Sequence, residues 1–258
     1  MALAKTLMVL SKEREDIRSQ RGSDSGKSTA FGSGFGYAAE TDELYYAKSY
    51  RDTSSKEQFW SSLSETPAAY REAAFAVQGA INILRPKTVI DFGVSYGWVE
   101  NHLAETNKDV NFIGIDRSTL TSDFNDNLFS KPNLSFLAAD IFAHLDTRSD
   151  WSDTVLFHMR TLTLLPQDFC ENFYKTLARK NFLGIVGIEQ YGLSRETLTP
   201  FVPRTEQQPS VRFRSGMHLH NYPHMLRSAG FEVRYFRFVP TNHAAPDFYF
   251  QSFLATRK

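Results

Sequence analysis

Asp91, Gly93, Ser95 and Gly97 occupy alternate positions of the stretch VIDFGVSYG, at the end of an apolar run. Glycines at that spacing make a tight turn through which a ligand can approach the main chain, because no side chain stands in the way. Val89 and Ile90 are β-branched and suit a buried strand, and the residues after Gly97 suit a helix. A strand, a glycine turn and a helix together make a nucleotide-binding arrangement. The turn lacks the Gly-x-Gly-x-x-Gly pattern of dinucleotide dehydrogenases, so a nicotinamide cofactor is not expected.

The elements that must hold this turn follow from the pattern around it. TPAAYREAAFAVQGAINIL carries apolar residues at helical spacing, with Pro67 near its start. Downstream, strands are expected at KTVIDFG, VNFIGID, NLSFLAAD, SDTVLFHM and FLGIVGIEQ. Helices are expected at WVENHLAE, STLTSDFNDNLF, PQDFCENFYKTLA and LHNYPHMLRSAG, the last ending on Gly230. Two further strands, FEVRYFRFV and DFYFQSFLATR, close the chain. Alternating strands and helices imply an α/β fold with a doubly wound, mostly parallel sheet. PTNHAAP is too short for a helical crossover, so the seventh and last strand is expected antiparallel.

With 258 residues, 41% hydrophobic and 22% charged, the chain has the composition of an ordinary globular protein. Its 29 basic and 29 acidic residues leave no net charge, which disfavours a nucleic-acid partner. The single cysteine, Cys170, excludes an internal disulfide and a cysteine-rich metal site. No apolar run near the start suits a secretory signal or a membrane span, so no membrane partner is expected and the cytoplasm is the default compartment. Residues 1–66 form a polar N-terminal extension whose apolar content is mostly aromatic, and a helical extension and a cap over a cleft are both open readings. Within it, GSDSGKST has Arg21 where a phosphate-binding loop needs glycine, so it is read as a solvated linker. Residues 67–258 form the main domain.

The ordered set of motifs resembles the class I S-adenosylmethionine-dependent methyltransferases of small molecules. In that family the first strand leads into acid-x-Gly-x-Gly-x-Gly, and this chain supplies Asp91, Gly93 and Gly97, with the small Ser95 at the middle glycine. The family's acid after the second strand matches Asp116, and the one after the third matches Asp140. The resemblance covers roughly residues 70 to 258 and includes the short hairpin before the last strand. It implies S-adenosylmethionine as cofactor, with the Gly93–Gly97 turn along its amino-acid portion and Asp91 toward its ammonium. Asp116 would take both ribose hydroxyls, while Asp140 or the backbone of Ile141 would read the adenine amine. Asp140 equally suits a helix cap on IFAHL. Arg117 or Ile141 would flank the adenine, and Arg71 would pair with the cofactor carboxylate or stand as a solvated arginine.

Methyl transfer needs an acceptor held in line with the methyl–sulfur bond, and a hydroxyl acceptor also needs a proton acceptor. His158, at the end of the fourth strand, is the first candidate base, with packing under the cofactor as its competing role. It therefore counts as a cofactor neighbour as well. His218 and His220 are candidates from the substrate side. His220 and His224 are four apart, but Pro223 interrupts them and no nearby acid completes a set, so no metal is expected. Residues 190–217 exceed an ordinary connection and read as a lid. Arg195, Arg204, Arg212 and Arg214 outnumber Glu196 and Glu206 there. That excess suits an anionic small-molecule substrate, though a solvated loop has the same charges. A small-molecule methyltransferase, oxygen ahead of nitrogen, is the expected function; a cofactor-binding regulatory subunit without catalysis is the alternative.

Overall fold

The computed structural model describes residues 68–193, 200–201, 209–212, 218–240 and 248–258. In chain order they form α1 (Ala68–Leu84), β1 (Thr88–Phe92), α2 (Trp98–Thr106), β2 (Asn111–Asp116), α3 (Thr119–Leu128), β3 (Leu134–Ala138), α4 (Ile141–Leu145) and β4 (Thr154–Met159). A short 3-10 turn, Leu162–Leu164, leads to α5 (Gln167–Arg179) and β5 (Gly184–Leu193). Then come β6 (Pro200–Phe201), β7 (Ser210–Arg212), β8 (His218–His220), α6 (Tyr222–Ser228), β9 (Phe231–Pro240) and β10 (Phe248–Arg257).

The main sheet runs β3-β2-β1-β4-β5-β10-β9, with β6 paired to β5 off that path. The β1 to β5 pairs are parallel, and β10 lies antiparallel between β5 and β9. This is the expected doubly wound sheet with an antiparallel last strand. Strand order reverses at β1 and β4, and in open α/β sheets ligands bind beyond the carboxyl ends of the strands at such a reversal.

Both sheet faces are covered because neighbouring strand residues point opposite ways. Ile90, Leu156, Ile185 and Phe253 pack with Phe173, Tyr174 and Leu177 of α5 and Met225 and Leu226 of α6. Val89, Phe157, Val186 and Ile188 pack with Ala73, Val77 and Ala80 of α1 and Val99 and Leu103 of α2. The spacing of three and four between the buried helical residues is the sequence signal that located these helices.

One expected helix is shorter. His218 and His220 belong to β8, which pairs with β7 in a separate two-stranded sheet. Helix α6 starts only after Asn221, whose side-chain oxygen accepts from the His224 amide at 3.1 Å, with Pro223 in the first turn. His220 and His224 therefore never share a helix face. Most of the expected lid, including Arg195, Arg204 and Arg214, and the whole N-terminal extension with its aromatic residues lie outside the described residues.

Candidate functional site

Between β1 and α2 the backbone is left-handed three times, at Gly93 (φ 82°), Ser95 (φ 49°) and Gly97 (φ 57°). Ser95 thus takes the conformation that glycine adopts freely, with the strain of a side chain. A Cβ on Gly93 would come within 2.2 Å of Thr161 Oγ1, and one on Gly97 within 2.5 Å of the Phe136 ring. The turn is lashed to its neighbours. Gly93 and Val94 both donate to the Ile115 carbonyl at 2.8 and 3.2 Å, and Asn125 Nδ2 donates to the Ser95 carbonyl at 2.7 Å.

Asp116, at the end of β2, accepts from Ser95 N at 3.4 Å through one oxygen and from Ser118 N at 3.1 Å through the other. These two bonds fix the orientation of the carboxylate beside the turn. Asp140 caps α4, Oδ1 accepting from Phe142 N at 2.9 Å and Ala143 N at 3.1 Å. The cap reading is therefore the observed role, and the other carboxylate oxygen points to neither amide. The Ile141 side chain is buried in the core, so it cannot cover an adenine ring, and only its backbone remains for that role. Arg117 and Arg71 are exposed.

Asp91 is buried and hydrogen-bonds to Glu100 on the first turn of α2, which is equally buried. Two carboxyl groups can share such a bond only if one holds a proton. Burial pushes Asp91 well above the usual carboxylate range, and Glu100, Asp116 and Glu189 add to the shift. Burial likewise pushes Glu100 up to about 7. Asp91 Oδ1 has no hydrogen-bond partner among the described residues. Glu100 was not singled out from the sequence: an acid on the first turn of a helix ordinarily sits in solvent near the positive helix end.

His158 does not face a cleft. It is fully buried, with Nδ1 2.7 Å from Glu189 Oε1 and Nε2 3.1 Å from the Tyr174 hydroxyl. Both ring nitrogens are committed to buried partners, so neither is presented to a bound substrate. Its parity along β4 explains the correction: it alternates with Phe157 and points to the α5 face. Glu189 also accepts from the amides of Leu162 and Thr163 at 3.1 and 3.2 Å, so the pair clamps the turn after β4. Tyr174 keeps its proton, because burial raises its hydroxyl well above the usual range.

His220 is also fully buried, its Nε2 3.1 Å from the carbonyls of both Leu162 and Leu165. Burial lowers its pKa to about 4, so the ring is neutral at pH 7 and donates from Nε2. It ties β8 to the turn after β4, as does the Thr163 hydroxyl bond to the His218 carbonyl at 2.8 Å. His220 is structural. The His218 ring stacks on it at 5.7 Å, with its Nδ1 buried, and His218 is the one histidine of the three that is not fully buried. Among the described residues no group of His, Cys, Asp and Glu could hold a metal, and no helix is long and apolar enough to cross a membrane. A cleft of about 560 Å³, lined by Ile83, Phe182 and Tyr235, lies at the opposite edge of the sheet and has no part in this site.

No family model and no curated protein matches the chain. Solved structures do match its fold. Magnesium protoporphyrin IX methyltransferase from Synechocystis PCC 6803, with bound SAM, is 15% identical with a TM-score of 0.51, covering 74% of this chain and 78% of that one. The N-terminal domain of EvdMO1, with SAH bound, is 13% identical with a TM-score of 0.53, covering 72% and 81%. The cyclase SpnF is 15% identical with a TM-score of 0.50, covering 67% and 75%. The fold is that of the class I S-adenosylmethionine-dependent methyltransferases.

Proposed function

We propose that the chain is an S-adenosylmethionine-dependent methyltransferase acting on a small molecule. The observation that carries this reading is the turn of Gly93, Ser95 and Gly97, left-handed at all three positions, with the Asp116 carboxylate beside it. The turn lies along the cofactor's amino-acid end, Asp91 faces the ammonium, and Asp116 takes the ribose hydroxyls. Asp140, Arg117 and the Ile141 backbone border the adenine, and Arg71 reaches the cofactor carboxylate. The two solved neighbours with SAM or SAH bound support the choice of cofactor. SpnF has the same fold and is a cyclase, so fold alone leaves the reaction open.

The acceptor atom is oxygen ahead of nitrogen in this reading. The buried positions of His158 and His220 leave His218 as the general base for a hydroxyl acceptor. The cofactor supplies an electrophilic methyl group; the chain's residues hold the acceptor in line, exclude water and take one proton. The test is transfer of label from methyl-labelled S-adenosylmethionine to small molecules, run beside calorimetry with S-adenosylhomocysteine and NAD. Binding of S-adenosylhomocysteine without any labelled product would favour a regulatory subunit, and binding of NAD alone would end the assignment.

A further inference from the structure

Four described residues other than glycine have left-handed backbones: Arg85, Ser95, Arg160 and Asn181. Arg85 and Asn181 follow the ends of α1 and α5, where this conformation is ordinary. Ser95 belongs to the glycine turn. Arg160 has neither excuse. It follows the last residue of β4 with φ 57°, held there by its amide, which donates to the Ile188 carbonyl at 2.9 Å. Strain of this kind in a residue with a Cβ persists where a fold needs the side chain aimed in a particular direction.

The aim is defined by neighbours. The guanidinium carbon lies 5.8 Å from the centroid of the buried Phe250 ring, and among the described residues no carboxylate pairs with it. Phe250 sits directly opposite Gln190 in the antiparallel β5–β10 pair, which puts their side chains side by side on one face. Gln190 is only 7% exposed, and its Oε1 has no hydrogen-bond partner among the described residues. A buried carbonyl left without a donor is costly, and a ligand N–H or O–H would satisfy it. Thr161, next to Arg160, packs over Gly93, so the group stands against the turn assigned to the cofactor's amino-acid end.

The structure assigns Arg160, Gln190 and Phe250 to an acceptor subsite for a small organic carboxylate that also carries an N–H or O–H donor. The subsite rests on the methyltransferase reading. Arg160 grips the carboxylate through its fork of donors, Gln190 Oε1 accepts from the donor group, and Phe250 forms the apolar wall. One guanidinium balances one carboxylate; a phosphate dianion would call for a second cation, and none stands beside Arg160 among the described residues.

The test splits a deproteinised cell extract on an anion exchanger into retained and unretained pools. Each pool is treated with phosphatase and incubated with the protein and methyl-labelled S-adenosylmethionine. Label is expected in the retained pool, before and after phosphatase. Arg160→Gln should raise the KM for that acceptor about 10- to 100-fold, while affinity for S-adenosylhomocysteine by calorimetry stays within about twofold. Arg160→Gly should lose the acceptor equally with no fall in melting temperature, because it releases the backbone strain. Label confined to the unretained pool, label abolished by phosphatase, an unchanged KM in either variant, or loss of cofactor affinity in Arg160→Gln overturns the subsite and leaves methyl transfer standing. Label in neither pool, with S-adenosylhomocysteine still bound, overturns methyl transfer itself.

Discussion

Nδ1 of His158 lies 2.7 Å from Oε1 of Glu189, and neither side chain reaches solvent. Nε2 of the same ring lies 3.1 Å from the Tyr174 hydroxyl, so both ring nitrogens have partners inside the core. The pair thus belongs to the framework under the site. Glu189→Ala should destabilise the fold by about 3–5 kcal/mol, because it removes a buried partner and frees the amides of Leu162 and Thr163. Urea unfolding measures this; a loss under 1 kcal/mol would show that the clamp is not holding the turn.

Ser95 carries a left-handed backbone that glycine would take without strain. Ser95→Gly should therefore leave stability unchanged or raise it by about 0.5–1 kcal/mol, with cofactor affinity retained. Gly93→Ala should do the reverse, since its Cβ would collide with Thr161. Thermal melts of the two variants compare them directly, and equal effects would contradict the account of the turn.

The alternation of strands and helices, the antiparallel last strand and the glycine turn were legible in the sequence because they depend on local patterns: β-branched runs, helical spacing, connection length and small residues. What was not legible depends on which way a side chain points. His158 stands where the sequence put it, at the end of β4, but strand parity turns it to the α5 face. His218 and His220 were read into a helix because Pro223 and Asn221, which start α6, lie after them. Glu100 was invisible because nothing in a helix's first turn marks an acid as buried. Ile141 and Asp140 were correctly placed beside the third strand, but the core takes the side chain of Ile141 and the helix end takes one oxygen of Asp140.

Asp91 and Glu100 predict a pH dependence. Their folded values lie above the ordinary carboxylate range, Glu100 at about 7 in place of 4.5. The native state therefore binds more protons than the unfolded chain, and the pair's stabilising contribution is complete in acid. It is lost as pH rises from about 4.5 through 7. Glu100→Gln should flatten this slope and raise stability at pH 8 by about 1–3 kcal/mol. Denaturant unfolding at pH 5 and pH 8 is the measurement; an unaltered difference between the two would remove the pair from the account.

His218 is the remaining candidate base. His218→Ala should lower turnover by ~10²–10⁴-fold with little change in cofactor affinity. A variant that keeps near-native turnover would leave positioning alone to account for the reaction, as for an acceptor that needs no strong base.

The central claim is that the Gly93–Gly97 turn and Asp116 bind S-adenosylmethionine. Isothermal calorimetry with S-adenosylhomocysteine tests it most directly. The account predicts one site per chain, no heat with NAD, and a weakening of about 10- to 100-fold in Asp116→Ala, the worth of a hydrogen bond to a charged group at roughly 1.5–3 kcal/mol. Absence of binding by the folded wild-type protein, or equal affinity in a folded Asp116→Ala variant, would contradict it.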